Sequence, residues 1–353
     1  MPQNAEERRP RLTPAIADVR RAVRAGLAGS GGTVDRHVGP HPRRAESHPE
    51  RPLVLVALSG GPDSLALAAA TAFEAPRAGM RAGAVIVDHG LQDASAEVAA
   101  AAATQARALG LDPVLVVRVD VDHGSAEGPE GAARTARYAA LQAAASDHGA
   151  AAVLLAHTLD DQAETVLLGL ARGSGAGSLQ GMAPASGLYR RPLLGIRRAT
   201  TRAFCADARL APWTDPQNSD PSYARVRVRE RVLPALEAEL GPGVAEALAR
   251  TAEQLREDNE AFQRMIDELI EDIVEHVEAG IAVSASALAA NPPALRGRIV
   301  RFVVLSEFGI AIERVHVQAV VRLVTDWHGQ KPLDLPGFTA AREGELLVFR
   351  AAR

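Results

Sequence analysis

Leu53-Val-Leu-Val-Ala-Leu58-Ser59-Gly60-Gly61-Pro62-Asp63-Ser64 decides the fold. Six apolar residues in a row read as a strand buried on both faces, and the hexapeptide that follows turns at once into a helix through residues 65–73. Pro62 suits a first helical turn, where its missing N–H costs nothing. Two glycines let the backbone close on an oxyanion, and two serine hydroxyls add donors beside the helix N-terminus. Residues 59–64 are therefore expected to cradle phosphate. This is not a Walker loop, which needs a lysine before Ser or Thr; the only lysine in the chain is Lys331. Asp63 beside phosphates calls for an intervening cation, because two anions in contact repel by several kcal/mol at an effective dielectric of about 20. Magnesium is the expected bridge.

Outward from this turn the pattern stays regular. Strands are expected at 84–87, 114–119 and 152–156, and helices near 94–109, over 130–147 and from 158 into 171. Such alternation means an α/β fold, a parallel sheet covered on both faces, with ligands at the carboxyl ends of the strands. Upstream, Ile16, Val19, Val23 and Leu27 predict an amphipathic helix, and the Gly-, Pro-, His- and Arg-rich stretch 29–52 reads as a flexible, dispensable loop. Residues 172–231 read as loops and short helices over the site. Val244, Leu248, Leu255, Phe262, Ile266, Leu269, Ile273 and Val277 predict one long amphipathic helix, packed on the sheet domain or on a second subunit of a homodimer. After the break at Pro292 and Pro293, helices near 295–308 and 315–327 and closing strands make a small α+β module. Three parts follow: 1–50 (helix and loop), 51–230 (sheet domain) and 231–353 (helical linker and C-terminal module).

Composition narrows the chemistry. A net charge of -4 does not advertise a nucleic-acid binder, but charge is distributed unevenly. Residues 190–231 hold ten arginines against four acids, and residues 253–278 hold ten acids against two arginines. Cys205 is the sole cysteine, which excludes an internal disulfide, a cysteine metal cluster and a two-cysteine redox pair, and fits a reducing cytoplasm. No run of about eighteen apolar residues is present to span a bilayer, so a soluble protein is expected.

The hexapeptide 59–64 resembles the SGGxDS signature of the PP-loop ATP pyrophosphatases, an adenine nucleotide alpha hydrolase-like fold whose members split ATP into AMP and pyrophosphate. Three further blocks are similar to those of the tRNA(Ile)-lysidine synthases within that superfamily: Val87-Asp88-His89-Gly90-Leu91, Glu130-Gly-Ala-Ala-Arg134-Thr-Ala-Arg137-Tyr138, and Ala156-His157-Thr158-Leu159-Asp160-Asp161-Gln162-Ala163-Glu164-Thr165. Asp215-Pro-Gln-Asn218-Ser-Asp220 with Arg225, Arg227 and Arg229, and the tail Asp334-Leu-Pro-Gly337, extend the resemblance. Two positions depart from it: Gln92 stands where the family has arginine, and Phe338 where a second glycine is common.

The third block also has a local logic, since Thr158 can cap a helix with Asp161 while Asp160, Asp161 and Glu164 share one side of it. The resemblance implies an ATP-dependent ligation of L-lysine to C2 of the wobble cytidine of a tRNA(Ile) anticodon loop, through an adenylated cytidine. It implies that Ser59, Gly60, Gly61, Pro62, Asp63, Ser64, Asp88 and His89 bind ATP, and that Asp63 and Glu164 hold magnesium. His157 and Asp161 would lie near the reacting cytidine and lysine, and Arg134 and Arg172 would compensate phosphate or base charge. Arg172, Arg190, Arg191, Arg225, Arg227 and Arg229 are the expected tRNA contacts, and Arg137 reads as a solvated surface charge. Rival readings are a thiolating PP-loop enzyme, against which the single cysteine argues, another ligase of the fold, or a nucleotide sensor without turnover.

Overall fold

The computed structural model describes residues 12–28, 51–90, 95–120, 128–173, 175–278 and 280–352. The readings of residues 1–11 and 29–50, and of Gln92, lie outside the described residues. The chain divides into two compact units, Met1–Gln254 and Leu255–Arg353. The first contains α1 (Pro14–Ala28), β1 (Leu53–Ala57), α2 (Pro62–Glu74), β2 (Arg81–Asp88), α3 (Ser95–Ala108), β3 (Val114–Arg118), α4 (Gly128–Asp147), β4 (Ala150–Leu154) and α5 (Leu159–Ala171). It continues through α6 (Ala176–Leu179), β5 (Ala185–Ser186), β6 (Tyr189–Arg190), α7 (Arg198–Asp207), α8 (Ala224–Arg227), α9 (Leu233–Leu240) and the first turns of α10 (Val244–Ile273).

Its six strands run in the order β3-β2-β1-β4-β6-β5. All pairings are parallel except β5 with β6. Alternation along β1 shows why the run is apolar throughout. Val54 and Val56 pack into the cluster that holds Leu65, Ala103 and Phe204, and Leu53 and Leu55 pack into the one that holds Leu141 and Val153. Helices thus cover both faces, as a parallel sheet requires. The order reverses between β1 and β4, so the loops leaving those two strands diverge to opposite faces and leave a crevice at their carboxyl ends. The glycine-serine turn follows β1 and His157 follows β4, which puts the two blocks read from sequence side by side.

Helix α1 is part of this unit. Ile16, Val19, Val23 and Leu27 are buried against α2 and α7, and Arg24 forks onto the buried Glu74 at 2.8 and 3.0 Å. Among the described residues no helix is long and apolar enough to cross a membrane.

The second unit holds the rest of α10, then β7 (Val274–Val277), β8 (Gly280–Ser284), α11 (Ala285–Ala290), α12 (Pro293–Phe308), α13 (Arg314–Thr325), β9 (Leu333–Leu335), β10 (Phe338–Glu343) and β11 (Leu346–Ala351). The strands form an antiparallel sheet in the order β7-β8-β11-β10-β9. The long helix expected over 244–277 stops at Ile273, because residues 274–277 pair with β8 instead. Phe338 is a core residue, stacked on Phe308 at 5.7 Å between centroids, and this burial accounts for an aromatic side chain at that position. The preceding Gly337 has φ +83 and the side chain of Ile310 fills the space a Cβ would need, so only glycine suits this turn.

Candidate active site

The bend after β1 is held from within. Gly60 has φ +84, a left-handed conformation that favours glycine, and its carbonyl accepts from the Trp213 N–H at 2.9 Å. Ser64 Oγ donates to the Gly61 carbonyl at 3.0 Å and accepts from the Ser59 N–H at 3.2 Å, with Ser59 Oγ 3.1 Å away. Pro62 opens α2, and Asp63 lies in its first turn. Beside Gly60 a cleft of about 500 Å³ is lined by Val98, Ala101, Ala102, Pro212 and Trp213, with Glu97 and Gln105 at its polar edge.

Asp88, at the end of β2, is nearly buried and accepts from the Gly90 N–H at 3.0 Å; that bond holds its carboxyl below the usual range. The side chain is therefore a turn cap, while the neighbouring His89 keeps a buried Nδ1 without a hydrogen-bond partner.

The block after β4 folds as its sequence indicates. Thr158 caps α5: its N–H and hydroxyl donate to Asp161 Oδ2, both at 2.8 Å, and the Asp161 N–H returns to Thr158 Oγ1 at 3.4 Å. Asp161 and Glu164 then face the same way as Asp63, and a guanidinium lies among the three. Arg198 donates to Asp161 Oδ1 at 2.7 Å and to Glu164 Oε1 at 3.1 Å, with its Nε 3.7 Å from Asp63 Oδ2. Its backbone N–H binds Asp160 at 2.7 Å. Arg229 forks onto both oxygens of Glu164 at 2.8 and 3.0 Å, and Arg225 reaches the same carboxylate at 3.8 Å.

Burial opposes charge on Arg198, but Asp161, Glu164 and Asp63 outweigh it and hold its pKa above the ordinary value. Burial likewise works against the Asp161 carboxylate, yet Arg198 and the Thr158 donors prevail and keep it below its usual range. Asp63 behaves oppositely. Burial pushes its carboxyl up, and the Thr201 hydroxyl and Arg198 offset this only in part. Asp63 is thus the acid whose charge is least compensated.

Burial drives the neighbouring His157 down to about 3, helped by Arg137, Arg191 and Arg134 and opposed by Asp161. A histidine kept neutral in the fold lowers stability once the unfolded chain can take up its proton. That contribution is intact above the unfolded pKa near 6.5 and fades as pH falls towards about 3. Denaturation midpoints between pH 7.5 and 5.5 are accordingly expected to decline less in His157→Asn than in wild type; parallel curves would contradict a neutral, buried imidazole.

The remaining sequence candidates divide. Arg225 and Arg229, expected on the RNA, turn inward onto Glu164, aided by a wide π-turn over Val228–Val232. Arg227 is exposed and binds carbonyls of its own loop, and Arg190 bonds the Gly187 and Tyr189 carbonyls. Arg172 caps the far end of α5, about 17 Å along the helix axis from Asp161. Arg137 is half-buried with an unpartnered Nε, not the solvated surface charge expected. Arg198 and Thr201 are the site residues that the sequence reading missed. Thr201, Phe204 and Cys205 are the buried face of α7, and Arg198, three residues before Thr201, falls on that face; this spacing was the available signal. Cys205 donates to the Pro62 carbonyl at 3.3 Å, and burial raises its pKa to about 11, so the thiol is an inert brace under the bend.

Comparison with known proteins agrees with this architecture. A family model described as a PP-loop domain matches residues 41–236, and one described as a TilS substrate binding domain matches residues 284–348. The tRNA(Ile)-lysidine synthase of Leifsonia xyli subsp. xyli is 64% identical over 86% of this chain and 92% of that protein. The synthase of Streptomyces coelicolor is 50% identical over 96% of this chain and 98% of its own. Among solved structures, the U34-tRNA thiolase NcsA from Methanococcus maripaludis with its [4Fe-4S] cluster shares the fold, with a TM-score of 0.52 at 19% identity over 69% of this chain and 80% of that one. With so much of its length shared with these synthases, the chain belongs to the tRNA(Ile)-lysidine synthase family of PP-loop proteins.

Proposed function

We propose that this protein joins L-lysine to C2 of the wobble cytidine in the CAU anticodon of tRNA(Ile), splitting ATP into AMP and pyrophosphate. The observation that carries this reading is the placement of the glycine-serine bend and the Asp63-Asp161-Glu164-Arg198 cluster on either side of the β1/β4 crevice. A phosphate-binding turn without a Walker lysine faces acids that can receive a cationic amine.

The cytosine O2 is a poor leaving group and must first be activated. Its attack on the α phosphate forms a P–O bond and breaks the bond to the β phosphate, releasing pyrophosphate. The lysine ε-amine, having lost a proton, then attacks C2, and the C2–O bond breaks to free AMP. The bend over residues 59–64 orients the triphosphate with backbone N–H groups and the α2 N-terminus. The cleft beside Gly60 has the apolar walls that suit a purine ring. Asp161, ionised at neutral pH, holds the lysine ammonium, and the arginines nearby favour loss of its proton.

The donor set fits magnesium at one position only. Asp63 has an under-compensated carboxylate, whereas both oxygens of Glu164 are taken by arginines, so Asp63 would hold the ion and Glu164 would not in this arrangement. Magnesium bound there would neutralise charge on the phosphate oxygens. Arg172, Arg190 and Arg227 are outward-facing or edge groups suited to RNA phosphates, and residues 284–348 supply a second RNA-binding element. Unpaired anticodon bases can be splayed into the crevice at small cost.

Asp161→Asn separates the two steps. Asparagine can still accept from the Thr158 N–H, so RNA-dependent pyrophosphate release should persist while transfer of labelled lysine drops by about 100-fold or more. Equal loss of both, in a folded variant, would remove Asp161 from the second step.

A further inference from the structure

The crevice contains basic groups that the reaction outlined above leaves without a task. Arg134 and Arg137 project from adjacent turns of α4, and Arg191 follows β6. All three lie within electrostatic reach of His157. Their positions are set by an aromatic pair: Tyr138 and Tyr189 pack edge to face at 4.9 Å, and the guanidiniums of Arg134 and Arg137 lie 4.9 and 5.6 Å from the Tyr138 ring centroid. Arg191 is fixed at one end, its Nη1 donating to the Ala183 carbonyl at 2.9 Å.

No carboxylate pairs with Arg134, Arg137 or Arg191 among the ion pairs of the described residues. The Nε of Arg137, the Nε of Arg191 and the Nδ1 of His157 are all buried without a hydrogen-bond partner. Buried N–H donors of charged groups are costly to leave unpaired, and Nε is one prong of the guanidinium fork that binds a carboxylate or phosphate side-on. The only acid acting on His157 is Asp161, which is already neutralised by Arg198. One wall of the crevice is therefore acidic and compensated, and the other is basic and uncompensated.

The geometry points to an oxyanion subsite formed by Arg137, Arg191 and His157, distinct from the glycine-serine bend, that takes the α-carboxylate of the incoming lysine. This deepens the function proposed above and rests on it for the identity of the amino acid. An extended lysine has opposite charges at its two ends. Asp161 at one end and the Arg137-Arg191 pair at the other, with His157 between them, match that polarity and aim the ε-amine at the cytidine. An amine without a carboxylate would gain nothing from the basic wall, so the subsite selects amino acids over simple diamines.

The test compares L-lysine with cadaverine, which keeps the chain and amine and lacks the carboxylate, using the full-length protein with ATP and the tRNA transcript. Arg137→Gln is expected to raise the KM for lysine at least about tenfold while leaving kcat/KM for cadaverine within about twofold, so that discrimination between them collapses. The KM for ATP should stay within about twofold. Calorimetric titration of lysine and of cadaverine into the protein without RNA gives the same comparison independently of turnover. Should Arg137→Gln fail to fold, Arg191→Gln probes the subsite from the β6 side and is expected to show the same selective loss. Unchanged discrimination in folded variants overturns the proposal. So does a loss that appears instead in the KM for ATP or in pyrophosphate inhibition, or in the salt dependence of tRNA binding, since the oxyanion would then be a phosphate. Carboxylate-dependent lysine binding without any transfer to RNA supports the subsite while overturning the reaction proposed above.

Discussion

Arg198→Met is expected to cost about 3–5 kcal/mol of folding free energy, the largest stability loss of any single substitution in this site. The guanidinium is 13% exposed and bridges Asp161 and the fully buried Glu164, with Asp63 nearby. Methionine fills much of the volume but leaves two acids with part of their charge uncompensated in a low-dielectric setting. Arg229 still forks onto Glu164, which is why the loss should not exceed this range. Arg198→Lys, with the charge but not the fork, should fall between. Adding Glu164→Gln to Arg198→Met should recover part of the loss, because the orphaned acid is then neutral. Denaturant midpoints of the sheet unit at constant slope are the measurement, and a change under about 1 kcal/mol for Arg198→Met would mean that the cluster is not the tightly coupled unit described.

Asp63→Asn should behave in the opposite manner, with a large effect on rate and little on stability. RNA-dependent pyrophosphate release is expected to fall about 10²–10³-fold, the scale of losing one preorganised charge at a reacting phosphate. Burial already pushes the Asp63 carboxyl up, and an asparagine oxygen can still accept from the Thr201 hydroxyl, so the thermal midpoint should hold or rise. Initial rates at saturating ATP and RNA, with a melting curve for each protein, decide the matter. Activity within about tenfold of wild type would free Asp63 from the phosphate chemistry.

Where residues carried periodicity or a dense motif, the sequence was a sufficient guide. The run 53–58 is apolar because both faces of β1 are covered, and strands and helices through residue 171 fall within a few residues of their expected bounds. Thr158 and Asp161 form the capping box that their three-residue spacing implies. Strands β5 and β6 are two residues each, too short to show alternation, and so the stretch after 172 read as loop. The same stretch hid the centre of the site. Its ten arginines look alike as a string, and only the tertiary fold separates Arg198 and Arg229, turned inward onto acids, from Arg227, turned outward. The fate of Val274 and Val277 was ambiguous for a related reason: three-residue apolar spacing continues a helix pattern, while pairing with β8 is a long-range fact.

The most direct test of the whole account is the identity of the products from ATP. Purified protein incubated with ATP, magnesium, labelled lysine and the CAU-anticodon tRNA(Ile) transcript should yield AMP and pyrophosphate only when RNA is present, with one AMP for each lysine fixed to the RNA. Release of ADP and orthophosphate, or AMP formation indifferent to RNA, would contradict it.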